Sequence, residues 1–546
     1  MAGAGRRTGG RPTAAEPPAR DSAIPIFSRP QRRELLARIL MIQDPSLKGA
    51  AACGHPQTTE AACAILRAGG NAFDAVVAAG FAAAVTEPAL TSLGGGGFLL
   101  ARTAQGRAVL FDFFVDTPGQ SLRASELEPH FLPVTVRFPG SEQIFNVGLG
   151  SVAVPGVLRG YLHIHRRLGR LPLREVLAPA IHLAREGVAI NAKQAYFLDL
   201  LVPIMTLTAA GRTLFEPGGC YLGEGDVHRN PDLAAFLDML PHGGEREFYE
   251  GELARRIAAD MHEGGGLLTA ADLAACRVIE REPLPVDYRG CRLLTNPPPS
   301  FGGSLIALSL RLLEAREVAP LGFGSPAHLA VLVAVTQEVD RRRAEGYLSP
   351  TDLGRPGLAQ SMERVRTVSG GTTHISVCDA EGNAASMTTS NGEGSGYFAP
   401  GTGIMLNNMM GEDDLHPEGF HVSPPGMRVA SMMAPSLLLA GDRTRLVLGS
   451  GGSKRIRTAM MQVISNVVDF GLDPRAAIEA PRLHWDGQRA QVEPGFASAA
   501  LATLARRWPL NRWAVPDVYF GGVHVVTPDG AGAGDPRRGG HAAVVD

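Results

Sequence analysis

The sequence predicts an α+β protein, with strands paired as antiparallel hairpins and helices in runs of their own, on three observations. The chain alternates polar and apolar residues after Thr372 (His374, Ser376 and Cys378 against Ile375 and Val377). It turns at Glu381-Gly382-Asn383 and resumes from Ala384 to Thr389, the pattern of a hairpin. A second hairpin follows Gly94-Gly95-Gly96-Gly97, with Phe98 to Arg102 and Ala108 to Phe114 flanking a turn at Gln105-Gly106. By contrast, Val157 to Leu168, Leu173 to Glu186 and Leu253 to Glu263 carry 3.6-residue apolar periodicity and form a helical layer.

In order, a helix through Thr59, Ala62, Ile65 and Leu66 opens the patterned sequence after His55-Pro56 and stops at Gly69-Gly70, a C-cap signal. Asn71 caps the next helix, with Asp74 three residues on, and Glu87-Pro88 ends it after Thr86. The glycines at 94–97 suggest a phosphate cradle. They precede a strand and lack the Walker lysine, so close backbone packing near a site is their better use. Cys291 to Thr295 reads as a strand, and Pro297 to Gly303 as a rigid loop before the helix Ser304 to Glu314. Arg341-Arg342-Arg343 reads as a solvated helical face. Residues 349–370 are punctuated by Pro, Gly and Ser, an expected flexible approach to Gly371-Thr372. Beyond lie a strand through Gly401 to Leu406 ending in the amide pair Asn407-Asn408, and a hairpin from Ala434 to Leu448. Gly449-Ser450-Gly451-Gly452-Ser453 then leads into a helix with Ile456, Met460, Val463, Ile464, Val467 and Phe470 on one face. Such a glycine turn is either an ordinary strand-to-helix connection or a nest of outward-pointing N–H groups suited to an oxyanion.

With 546 residues the chain has room for two to four domains or one large α/β body, and its 45% hydrophobic and 19% charged residues suit a globular protein. A formal charge of −2 gives no general case for nucleic acid or an anionic membrane as partner. The six cysteines lack CxxC spacing, which favours reduced thiols over a disulfide framework or a zinc site. The longest uncharged apolar run, Ala75 to Thr86, is too short to cross a bilayer. Residues 1–46 are rich in Arg, Pro and Gly without a secretory apolar core. They are expected to be a disordered extension, or translation begins near Met41, and a cytoplasmic location is expected.

The chemistry centres on Gly370-Gly371-Thr372-Thr373. A threonine hydroxyl needs a base, and the free α-amine of the same residue, exposed by cutting the preceding bond, can serve as one. Its reference pKa of about 8 lets it take a proton and return it to a leaving amine. Gly371 lacks a Cβ and would permit the strained backbone that attack on its own carbonyl requires. Taken alone, Gly-Thr-Thr is equally a loop entering a strand.

The motifs in combination are more specific. Thr372-Thr373-His374-x-Ser376-Val377 with Asp379-x-x-Gly382-Asn383, then Gly401-Thr402-Gly403-Ile404 with Leu406-Asn407-Asn408, then Gly449-Ser450-x-Gly452-Ser453 resemble the small subunit of the γ-glutamyltransferase family. Leu66-Arg67-x-Gly69-Gly70-Asn71-Ala72-x-Asp74-Ala75, Gly94 to Phe98, Val154-Pro155-Gly156 and Pro298-Pro299-Ser300-x-Gly302-Gly303 resemble its large subunit, in the same order. The resemblance implies a four-layer αββα N-terminal-nucleophile hydrolase, cut between Gly371 and Thr372 into a large subunit 47–371 and a small subunit 372–546. These chains would stay together as a heterodimer, alone or in pairs. It implies that Thr372 Oγ attacks a small-molecule amide and passes the acyl group to water or an amine, with no cofactor or metal. Ser390 falls where the family has a hydroxyl supporting the nucleophile, and Gly451 and Gly452 where it has paired oxyanion amides.

The departures fall in the substrate pocket. Where the family grips a γ-glutamyl α-carboxylate with the arginine of Asp-Phe-Arg-Glu, this chain has Asp112-Phe113-Phe114-Val115. A substrate-binding asparagine aligns with Gly392, a glutamine with Met409 and one of two serines with Met432. Ser431 keeps the other serine, and Glu412 falls at the acidic group that faces the substrate ammonium. Arg428 is a candidate replacement cation, a salt bridge or backbone contact being its other use. The expected function is hydrolysis or transfer of a γ-glutamyl-type amide such as glutathione. The alternatives are a relative acting on another acyl amide, or an unprocessed silent binding protein. His374 is expected to be structural, and Asp413 and Asp414 a solvated pair rather than metal ligands. Thr373 either bonds the free amine or faces the strand.

Overall fold

A computed structural model describes residues 47–123, 130–138, 141–345, 371–413, 415–416 and 419–546. The expected N-terminal extension at 1–46, the approach at 349–370, and Asp414 lie outside the described residues.

Two antiparallel sheets form the centre. The first has seven strands in the order His541–Val545, Gly49–Cys53, Thr373–Asp379, Ala384–Ser390, Gly96–Arg102, Ala108–Phe113 and Ile279–Arg281. The second has six, in the order Gly532–Ala533, Gly522–Val526, Arg443–Gly451, Ser436–Ala440, Cys291–Thr295 and Leu284–Tyr288. Thr373–Asp379 and Ala384–Ser390 face Arg443–Gly451 across the sandwich.

Alternation along each strand divides its side chains between two cores. Phe98 and Leu100 point between the sheets, whereas Leu99 and Ala101 point to the outer helices. The helix Ala72–Thr86 lies on the outer face of the first sheet and is apolar nearly all round, so it is buried almost completely. Its N-terminus is a capping box: Asn71 Oδ1 accepts from the N–H groups of Phe73 and Asp74, and an Asp74 carboxylate oxygen accepts from Asn71 N–H. On the opposite side, Arg455–Val468 packs on the second sheet and Phe301–Glu314 packs on Arg455–Val468. The result is the α+β, αββα arrangement that the resemblance implied.

The helices Val157–Leu168 and Leu173–Glu186 and the strand Cys291–Thr295 have the expected bounds. The first element among the described residues is not the helix at Pro56–Arg67, as expected, but the strand Gly49–Cys53. That strand is Gly-Ala-Ala-Ala-Cys, buried along its whole length between two neighbours. Small residues fit there because both faces are covered. All six cysteines are free thiols, Cys220 alone exposed. Among the described residues no helix is long and apolar enough to cross a membrane.

Candidate active site

Thr372 immediately precedes the strand Thr373–Asp379, whose register sets Thr373 opposite Thr389. The two central strands therefore bring Thr372 and Ser390 together at one edge of the sandwich. Thr372 Oγ1 donates toward Ser390 Oγ at 3.5 Å, the outer limit of such a bond. Ser390 Oγ accepts from Gly392 N–H at 3.0 Å and donates in a short bond to the Gly371 carbonyl oxygen. One hydroxyl thus touches both the candidate nucleophile and the carbonyl that nucleophile would attack.

Gly371 is needed for a different reason from the one its sequence suggested. Its φ is not in the left-handed region. A Cβ there would instead overlap the carbonyl oxygen of Gly392. The Gly94–Gly97 run serves the same kind of close approach, since a Cβ on Gly95 would overlap the Ser390 carbonyl oxygen and Gly96 pairs with Ser390 in the sheet. Gly451 ends its strand against Thr372, where a Cβ would overlap the Thr372 carbonyl oxygen. Gly452, at φ 123°, makes the turn toward the helix Arg455–Val468, a conformation that favours glycine.

Thr373 Oγ1 donates to Glu87 Oε2 at 2.7 Å. Thr58 Oγ1 donates to the other Glu87 oxygen at 3.3 Å. Burial pushes the Glu87 carboxyl up to about 7, against the lowering effect of those two hydroxyls and of Arg538. His374 is a core residue, its ring nitrogens bonded to the hydroxyls of Thr388 (2.8 Å) and Ser376 (2.9 Å), and burial holds its pKa far below the ordinary histidine value.

The pocket residues divide into two groups. Phe114, Met409 and Met432 are buried in the core between the sheets, and the Phe114 ring stacks on Phe98 at 5.4 Å. Arg428 is not a replacement cation. Its guanidinium pairs with Asp112 at 2.8 Å and Asp116 at 2.8 Å and donates to the Phe114 and Arg277 carbonyls. Gly392, at φ 63°, belongs to the polar group. A Cβ there would overlap Asn408 Oδ1 and Glu412 Oε1, so the amide and carboxylate fill the space an asparagine side chain would need. Ser431 is tied into the backbone, its Oγ accepting from Met433 N–H at 3.1 Å and its carbonyl accepting from Ser300 Oγ at 2.7 Å. Asn407 clamps Gly94 and Ala153 through their carbonyls at 2.8 and 3.1 Å.

Sequence reasoning missed Glu87, taken only as a helix end, and Arg538. Arg538 Nη1 donates to the Thr372 carbonyl at 3.0 Å. The only signal for Arg538 was the charged run Asp535-Pro536-Arg537-Arg538 ahead of the last strand.

Comparison with known proteins agrees with this geometry. The family model for gamma-glutamyltranspeptidase matches residues 58–545. The chain is 32% identical over 539 residues to a glutathione hydrolase proenzyme of Escherichia coli (strain K12), covering 90% of each. It is 33% identical over 509 residues to an acylase ACY 1 proenzyme of Pseudomonas sp. (strain V22), covering 88% of this chain and 90% of that one. Among solved structures, cephalosporin acylase from Bacillus halodurans is similar, with a TM-score of 0.77 and 28% identity over 91% of this chain and 96% of that one. Motif order and layered fold agree with these matches, and the chain belongs to the gamma-glutamyltranspeptidase family, enzymes of the N-terminal-nucleophile hydrolase class.

Proposed function

We propose that this protein cuts its own backbone between Gly371 and Thr372 and then uses the released Thr372 as the nucleophile of a small-molecule amide acylase. In the first stage Thr372 Oγ attacks the Gly371 carbonyl carbon and the peptide C–N bond breaks, leaving an ester that water hydrolyses. The products are the large subunit ending at Gly371 and the small subunit beginning at Thr372. In the second stage the Thr372 α-amine takes the hydroxyl proton as Oγ attacks a substrate amide, and returns it to the departing amine. Water or an acceptor amine then releases the acyl group. Ser390 supports the first stage by holding the Gly371 carbonyl beside Thr372 Oγ, and the second through its contact with Thr372 Oγ itself. Gly451 and Gly452 are the proposed oxyanion donors.

The acyl group proposed is one other than γ-glutamyl that carries no second carboxylate, such as an uncharged β-lactam side chain. The observation that carries this is Phe114 stacked in the core where the family has its arginine, with Arg428 already committed to Asp112 and Asp116. A buried substrate carboxylate without a cation costs several kcal/mol, more than hydroxyl contacts restore. The relatives named as acylases support the same choice. A γ-glutamyl substrate is the second reading, favoured by Glu412 beside Gly392 and by the retained Ser431. Turnover of γ-glutamyl-p-nitroanilide set against anilides of uncharged acyl groups separates the two. The proposal expects the non-glutamyl anilides to have the higher kcat/KM, and preference for γ-glutamyl-p-nitroanilide refutes it.

A further inference from the structure

Arg538 is a guanidinium with an unusual environment. It is 2% exposed and donates to the carbonyl of Thr372. Among the described residues its Nε and Nη2 have no hydrogen-bond partner and no carboxylate lies within salt-bridge distance of it. An arginine buried without an anion is costly, and proteins normally pair it. Its neighbour shows the normal solution: Arg537 pairs with Glu493 and with Asp535, and Asp535 also pairs with Arg482 at 2.6 Å. That cluster anchors the turn from which Arg538 reaches the catalytic corner.

The guanidinium lies where charge changes during acyl transfer. A Cβ placed on Gly451 would stand 3.2 Å from Arg538 Nη1, and one on Gly452 would stand 3.6 Å from Nη2, so the cation sits against the glycine turn as well as the nucleophile. Gly522 makes room for it, since a Cβ there would touch the Arg538 side-chain methylenes. The charged and titratable groups acting on it are Glu87, Asp535 and Asp517 among the acids, and Arg455 among the bases. Tyr196 and His524 also feel its charge. The Phe197 ring covers it at 5.7 Å.

We propose that Arg538 is a positioning residue for the acyl-transfer centre: it fixes the Thr372 main chain through the carbonyl and places a positive charge beside the α-amine, keeping that amine a free base at working pH. This rests on the self-cleavage proposed above, because the amine exists only after the cut. A fixed cation disfavours a second positive charge nearby, so the protonated amine loses its proton more readily. The same charge favours negative charge developing at Gly451 and Gly452.

The test is the pH dependence of kcat/KM for wild type, Arg538→Gln and Arg538→Lys, each first checked by intact mass for two chains. Removing the cation is expected to move the acid limb up by about one pH unit, the scale of a nearby single charge. Arg538→Lys, which keeps the charge, is expected to leave that limb at the wild-type position even if kcat falls. A limb unmoved in Arg538→Gln, or moved equally in both variants, overturns the proposal in favour of a purely structural arginine. If Arg538→Gln yields no soluble two-chain protein, wild type alone decides, through the pH dependence of acylation of the Thr372 amine by a limiting succinimidyl ester. An apparent pKa below the reference of about 8 supports the proposal, and one at or above it overturns it. A wild type found as one uncut chain overturns the self-cleavage and this role together, whereas two chains with an unmoved limb overturn only the role of Arg538.

Discussion

Ser390 shows how much one hydroxyl can carry when strand register places it. Because Thr373 stands opposite Thr389, the next residue outward on each strand meets its counterpart, and Ser390 reaches both Thr372 Oγ and the Gly371 carbonyl. Ser390→Ala is expected to slow self-cleavage by about a hundredfold or more, the usual loss when one such donor is removed. A time course of intact mass after denaturing quench checks it. Arg428 gives the opposite kind of test. If it serves Asp112 and Asp116 rather than substrate, Arg428→Met takes the ion pair from Asp116, leaves Asp112 with Arg281 alone, and lowers stability by about 3 kcal/mol in urea titration. A change confined to KM, with stability untouched, would return it to the substrate. Glu87 yields a pH prediction whose sign follows from burial. Its carboxyl is raised to about 7 from an ordinary value near 4.5, so the folded protein holds a proton that the unfolded chain has lost between those values. Stability contributed by this group is therefore full at low pH and falls as pH rises from about 4.5 to 7, by about 3 kcal/mol. Glu87→Gln is expected to flatten that part of the stability profile relative to wild type. At this scale the sequence displayed Thr372, Ser390 and the glycine turn, because hydroxyl and glycine patterns are local. It hid Glu87 and Arg538, whose partners lie far away along the chain and depend wholly on tertiary contact.

Elements were legible where one face is buried and the other is not. Val157–Leu168 and Leu173–Glu186 alternate buried and half-exposed residues at helical spacing, so periodicity alone set their ends. Ala72–Thr86 has no such contrast, and it was its cap that declared it. Asn71→Ala removes the acceptor for two N–H groups and is expected to cost about 1 kcal/mol, read as a lowered midpoint in thermal or urea unfolding. Gly49–Cys53 escaped notice for the converse reason. An alanine run has high helix propensity, and only its place between His541–Val545 and Thr373–Asp379 makes it a strand. The terminal strand His541–Val545 was equally silent, since its partner Gly49–Cys53 lies nearly five hundred residues away along the chain.

The whole molecule is interlaced across the proposed cut. Gly49–Cys53, from the large subunit, lies between His541–Val545 and Thr373–Asp379, from the small one. Ala384–Ser390 pairs with Gly96–Arg102, and Cys291–Thr295 pairs with Ser436–Ala440. Both sheets therefore contain strands from each side of Gly371-Thr372, with shared cores between and outside them. The cleaved subunits are expected to co-elute as one species in native size exclusion and to separate only in denaturant. The most direct measurement is the intact mass of active wild type beside Thr372→Ala. The account predicts two masses for the first, corresponding to a break after Gly371, and one uncut chain for the second. Active wild-type protein with a single continuous chain would contradict it.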